Sequence, residues 1–193
     1  MPLCYDSPAG DGRLVQGEVL GPAYEYVPLH APVDVPENTN VAVNVVRHER
    51  IVVLTNDCDL VQDFNLRSGD GTLDSLTDIS GEPGSVPSVA LCSLFSELRD
   101  HVSGGSDLRR RIRQNQDTRF HTLAEASIGE GTNGGALPQL HMDFRKVLAV
   151  PTGFLYEGIR GGGVQRLAVV PAFHIHDIVH RYHGYHSRVA LEE

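Results

Sequence analysis

A chain of 193 residues and 21.0 kDa fits one domain, or one domain with a helical appendage, and argues against a second independent core, since cores usually run to about 100–200 residues. With 40% hydrophobic and 21% charged residues, wholesale disorder is excluded. The formal net charge of -9 argues against a generic polyanion binder, because the whole-molecule field repels phosphate.

Taken in chain order, Leu14–Leu20, Tyr24–Val27, Val41–Val46 and Arg50–Thr55 read as short strands separated by Gly, Pro and Asn. The β-branched run Ile51-Val52-Val53-Leu54 predicts a strand buried on both faces that ends at Asn56-Asp57. Residues 63–87 turn to Gly, Ser, Asp and Pro and predict a long surface loop. Pro87–Leu94 follows as a strand. Ser93–Asn115, broken at Gly104-Gly105, predicts two short helices, and Arg119–Leu123 a short strand. A second polar, Gly-rich loop is predicted over 125–138, then strands at Val147–Val150, Phe154–Tyr156 and Val164–Val170, the last two joined as a hairpin across Gly161-Gly162-Gly163. After Pro171 the residues Ile175, Ile178, Val179, Tyr182 and Val189 recur at helical spacing, which predicts an amphipathic terminal helix over 171–188. Many short strands and one firm helix make a single α+β domain over 1–193, built on a small, curled sheet. No repeat of 20–50 residues is present.

No stretch approaches the roughly 18 apolar residues of a membrane span, and Met1–Asp6 lacks a basic, then apolar, secretory signal, so a cytoplasmic protein with no membrane partner is expected. Cys4, Cys58 and Cys92 are odd in number and far apart, which suits reduced thiols and neither a disulfide framework nor a cysteine zinc site. Residues 1–100 carry 16 acidic and 5 basic side chains, a net of -11, whereas residues 101–193 carry 9 and 11, a net of +2. Any anion site therefore belongs in the second half. All basic residues but Lys146 are Arg, which suits forked anion contacts and is also what a GC-rich genome produces.

Four pieces in order carry a resemblance: Gln16-Gly17-Glu18-Val19; Ile51 through Thr55-Asn56-Asp57-Cys58-Asp59-Leu60; Leu137-Pro138-Gln139-Leu140-His141-Met142-Asp143-Phe144-Arg145; and the end Arg188-Val189-Ala190-Leu191. Together they resemble a family of small bacterial proteins of unassigned function. Its members run an apolar strand into Cys-Asp-Leu, then carry an Arg-aromatic-x-x-Leu strand, here Arg119-Phe120-His121-Thr122-Leu123, an Asp-Phe-Arg segment and a final helix. The resemblance implies a bacterial or phage origin and brings no reaction with it. Gly17-Glu18-Val19 and Arg50–Thr55 are also similar to the opening strands of PemK/MazF-like toxins, which implies that the α+β domain is a small, strongly curved, partly open SH3-like β-barrel carrying the C-terminal amphipathic helix. Glu49-Arg50-Ile51 stands where those toxins have Arg-Pro, so their ribonuclease activity is not implied.

Several groups of residues have the composition of a site. An extended Asp57-Cys58-Asp59 would put both carboxylates on one face, where they can hold a hard cation or divide into acid and base, with the thiol inward. The competing reading is that Cys58 fills the core while the Asp side chains cap a turn. His121 and His141 lie in short apolar settings beside Arg119 and Asp143, and the order of these segments in the family that the chain resembles implies a candidate catalytic pocket of Asp57, Cys58, Asp59, His121 and Asp143, with His141 beside it; otherwise His141 is a loop residue and Asp143-Phe144-Arg145 is a structural ion pair around a buried Phe. Arg109, Arg110, Arg113 and Arg119 form a candidate anion or nucleic-acid patch, with a solvated basic helix as the alternative. His176 and His180, one helical turn apart, can hold a divalent metal, yet no third ligand is identifiable and incidental surface histidines fit the same pattern. No other cofactor is indicated.

Three functions follow as expectations. The leading one is a noncatalytic interaction or regulatory module that binds a protein or nucleic-acid partner through the Arg-bearing second half, in a bacterial stress, toxin or phage-defence setting. The second is a hydrolase, with nucleases among the candidates, working from the Asp/Cys/His pocket. The third is metal binding by the terminal histidines. An enzyme of the second kind requires a strongly shifted ionisable group in a concave site.

Overall fold

The structure, a computed structural model, describes residues 4–8, 10, 12–29, 42–79, 81–128 and 135–189. Part of the predicted 125–138 loop and the closing Ala190 and Leu191 lie outside the described residues. In chain order the strands are β1 (Cys4–Tyr5), β2 (Glu18–Gly21), β3 (Ala23–Pro28), β4 (Val43–His48), β5 (Arg50–Val53), β6 (Ser88–Phe95), β7 (Phe120–Leu123), β8 (Ala126–Ile128), β9 (Ala136–Leu137), β10 (Leu140–Pro151) and β11 (Gln165–Val169). The helices are α1 (Asp57–Arg67), α2 (Leu98–His101), α3 (Ser106–Arg113), α4 (Thr152–Arg160) and α5 (Ala172–Val189).

The fold is α+β. Six strands in the order β11-β2-β5-β6-β10-β7, antiparallel throughout, form a curled half-barrel sheet. Ile51, Val52 and Val53 of central β5 are fully buried, as a β-branched run between two covered faces must be. Alternation along the strands then divides the apolar side chains between two cores. Val19, Val52, Cys92, Leu94 and Met142 pack with Ile175 and Ile178 of α5, while Leu20, Ile51, Val53, Leu91 and Val150 pack with Leu60 and Phe64 of α1 and with Leu155 and Tyr156 of α4. A third, smaller cluster joins Phe95, Leu98, Val102, Ile112 and Phe120 under α2 and α3.

The sheet's ladder is interrupted in β11, between Arg166 and Ala168, and more strongly in β10. Met142 pairs with Leu94 but Val147 pairs with Cys92, so five steps along β10 match two along β6 and residues 143–146 bulge out of the ladder. At the other end of the sheet, β2 and β5 continue beyond it into β3 and β4, which among the described residues pair only with each other as a two-stranded ribbon.

Four predicted elements are corrected. Phe154–Tyr156 is not a strand: it lies in α4, where Thr152, Leu155, Tyr156 and half-buried Ile159 follow the i, i+3, i+4, i+7 rhythm of a helix, and Gly161–Gly163 links α4 to β11 rather than two strands. The 63–87 loop begins later than predicted, because α1 runs to Arg67; beyond it a Ser68–Leu76 bridge and a turn of 3₁₀ helix at Leu73–Ser75 give it structure. The described ends of 125–138 hold β8 and β9, the former paired with β1. Asp57-Cys58-Asp59 is helical rather than extended, and the two Asp side chains suit the first turn, where exposed amides favour negative charge.

Candidate functional site

The ribbon leaves the sheet at Gly21 on one strand and Glu49 on the other. A Cβ at Gly21 would drive into the Glu49 carbonyl oxygen, so this close crossing requires glycine. In the ribbon register Ala23 faces His48 and Glu25 faces Val46, which makes Glu25 and His48 diagonal neighbours on one face. Glu25 Oε2 lies 3.1 Å from His48 Nε2, and His48 Nδ1 lies 3.0 Å from Ser93 Oγ on β6. With Glu25 as a carboxylate, Nε2–H donates to it, and Nδ1 is left to accept the Ser93 hydroxyl proton.

These three residues line a cleft of about 710 Å³. Its other walls are Arg47, Glu49 and Arg50 at the base of the ribbon, Glu97, Asp100 and His101 after β6, and Asp143, Arg145 and Lys146 on the β10 bulge. Arg47 is paired with Glu49, and His101 stacks on Phe95 with ring centres 4.4 Å apart. A cleft of this size accepts a small molecule or an extended peptide side.

Behind the bulge stand two matching Asp-x-Arg units. Arg119 grips Asp117 through Nε and Nη2, both at 2.9 Å, and Arg145 grips Asp143 at 2.8 and 2.7 Å. The Phe144 amide donates to the Arg119 carbonyl at 2.9 Å, which ties the units together, and both guanidiniums lie against the Phe120 ring, 5.7 and 5.0 Å from its centre. The Arg119 hydrogen bonds hold the Asp117 carboxyl below its ordinary range, and both arginines are pushed up by their carboxylates. Arg181 of α5 completes the assembly by donating to the carbonyls of Asn115, Asp117 and Phe120 at 2.8–2.9 Å.

The predicted pocket residues are not gathered in one hollow. Asp143 lines the cleft. His121 is buried on β7 facing α5, where its Nδ1 has no hydrogen-bond partner and Asp177 Oδ2 lies 3.7 Å away. Asp57, Cys58 and Asp59 open α1 outside the cleft; Cys58 is exposed, neither inward nor a core filler, and Asp57 accepts the Gln16 amide at 3.3 Å. Cys92 is the core thiol, with its pKa pushed up to about 12 by burial. Burial also takes His121 and His141 down to about 4, and neither of them lines the cleft.

The predicted basic patch is mostly answered locally. Arg109 donates to the Gly104 carbonyl, Arg110 lies 3.7 Å from Asp107, and Arg119 is held by Asp117, leaving Arg113 exposed at the end of α3. His176 and His180 are exposed on α5, and among the described residues no three His, Cys, Asp or Glu side chains gather as metal ligands. No helix among the described residues is long and apolar enough to cross a membrane.

Sequence reasoning missed Glu25, His48 and Ser93. Each sits in an ordinary strand, and only the register of β3 with β4 and the β5–β6 pairing bring them together. The alternation of Glu25 with exposed Tyr24 and Tyr26 was the one local sign of a two-faced ribbon. Compared with protein-family models, with curated proteins and with solved structures, the chain matches none.

Proposed function

We propose that the chain is an interaction module that binds an extended apolar segment of a protein partner along the β3–β4 ribbon. The observation that carries this reading is the ribbon's outer face. Tyr24, Tyr26, Val43 and Val45 are 42–53% exposed on one side of a two-stranded sheet that, among the described residues, pairs with nothing else. Phe154 of α4, also exposed, extends the patch by meeting the Tyr26 ring edge-on at 6.1 Å. Aromatic and β-branched side chains beside an open strand edge suit strand addition, in which backbone hydrogen bonds give affinity and alternate side chains give selectivity.

A protein fits better than a nucleic acid. The face carries one cation, Arg47, already paired with Glu49, and the arginines of α3 are largely answered by nearby acids and carbonyls. The curled sheet accords with an SH3-like barrel, and with the resemblance to small bacterial proteins the reading extends to a regulatory role in a bacterial stress, toxin or phage-defence setting.

The test is selection of a displayed random-peptide library on the full chain, followed by affinity measurement on Tyr26→Ala and Val45→Ala. Selected peptides should be apolar and alternating, and each substitution should weaken them at least about tenfold, the size of a central aromatic contact. Peptides that bind both variants as tightly as the parent overturn the reading. So does binding of single-stranded oligonucleotides that is unaffected by Tyr26→Ala while no peptide is enriched.

A further inference from the structure

The inner face of the same ribbon carries different chemistry. Glu25, His48 and Ser93 are linked in series, carboxylate to Nε2 at 3.1 Å and Nδ1 to hydroxyl at 3.0 Å, and all three line one cleft. A carboxylate that fixes an imidazole tautomer, with the free ring nitrogen on a serine hydroxyl, is the arrangement that makes serine a nucleophile. Here the ring is presented the other way round from the common triad, with Nδ1 as the base, and the proton accounting is unchanged. We propose that the cleft is an acyl-transfer site that hydrolyses small carboxylic esters, with Ser93 as nucleophile, His48 as general base and Glu25 as the group that orients it. The inference is independent of partner docking, which uses the ribbon's other face.

The steps balance without an added cofactor. Ser93 Oγ bonds to the ester carbonyl carbon while its proton passes to His48 Nδ1, and the carbonyl π pair moves onto oxygen. Glu25 offsets the charge that appears on the imidazole. When the tetrahedral adduct collapses, the carbon–oxygen bond to the leaving alcohol breaks, and that alcohol takes the proton from Nδ1. Water then attacks the acyl-serine, gives its proton to Nδ1, and the carboxylic acid leaves as Ser93 recovers the proton. Arg145 spends Nε and Nη2 on Asp143, so its second Nη, with Arg50 and Lys146, supplies the cationic side of the cleft for the developing oxyanion. The bulge at residues 143–146 is what brings Arg145 and Lys146 to this wall.

The same three residues would also serve as a plain strut tying the ribbon to β6, and the experiment separates the two roles. The full chain is treated with an alkyl fluorophosphonate carrying a reporter, and the adduct is mapped by mass spectrometry. A single adduct on Ser93, formed at least about 100-fold more slowly in His48→Gln, supports the site, since a general base contributes about 10²–10⁴-fold. Glu25→Gln, which preserves size, should slow the adduct at least about tenfold with an unchanged melting temperature. Hydrolysis of p-nitrophenyl acetate should disappear in Ser93→Ala. No adduct on Ser93, or equal labelling rates in the parent and His48→Gln, overturns the proposal, and a strut predicts that result whatever the partner-binding test gives.

Discussion

Asp63 and Arg67 of α1 form the most deeply buried ion pair among the described residues, with side chains 0% and 4% exposed. Arg67 donates to both carboxylate oxygens at 2.7 and 3.1 Å, and the Val86 amide supplies a further donor at 2.7 Å. Such a pair gains little over an apolar pair of the same shape, because desolvation offsets its attraction, but breaking it strands a charge. Arg67→Met should therefore lower stability by about 3–5 kcal/mol. The double variant Asp63→Leu/Arg67→Met should regain most of the loss, and urea unfolding measures both. A double variant no more stable than the single would show that the pair, and not the stranded carboxylate, carries the energy.

At the scale of elements, α5 and α3 hold two histidines uncharged. His121 on β7 faces Asp177, Arg181 and His174 of α5, and His141 on β10 faces Arg113 and shares a 2.8 Å hydrogen bond with Thr122. Burial brings each to about 4, against about 6.5 in an unfolded chain. Since the folded values are the lower ones, the unfolded chain binds protons more tightly across this interval. Stability is full above about pH 6.5 and falls as pH drops toward 4, by up to about 3 kcal/mol for each histidine. Urea midpoints taken from pH 7 to pH 4 should therefore fall less steeply for His121→Asn and His141→Gln than for the parent. Identical slopes would mean that neither ring is kept neutral by the fold.

Elements also show what was legible in advance. The Ile51–Leu54 run announces a covered strand because both faces need the same kind of side chain. In α1 the inward positions are Leu60, Asp63, Phe64 and Arg67, which have full helical spacing, but half of them are charged and satisfied by each other, so a search for apolar rhythm passes over them. In α4 the rhythm is present, and the glycines at 153, 158 and 161–163 disguised it as strand and turn. The Asp143-Phe144-Arg145 segment was legible as an ion pair around a buried Phe, because its partners are two residues apart. Glu25, His48 and Ser93 were not, because their separations of 23 and 45 residues are closed only by strand register.

For the whole molecule, the cores and the ribbon differ in what holds them. The six-stranded sheet is covered on one face by α5 and on the other by α1 and α4, and Ile51, Val52 and Val53 at its centre have no exposure. In the ribbon β3 and β4 each have one partner strand among the described residues, namely each other, with exposed apolar side chains on the outer face and a tether to the sheet through His48 and Ser93. A two-stranded ribbon gains little from burial, so its opening need not wait for the core to unfold. Amides of β3 and β4 should exchange with deuterium at least about 100-fold faster than those of β5, β6 and the second half of β10, a gap of about 2.7 kcal/mol between local and global opening. Binding of a selected apolar peptide should slow β3 and β4 while leaving the sheet unchanged, because strand addition protects only the ribbon. Equal protection of ribbon and sheet in the free chain would mean that they open as one unit, and the ribbon would then be a rim of the core and not an arm held out from it.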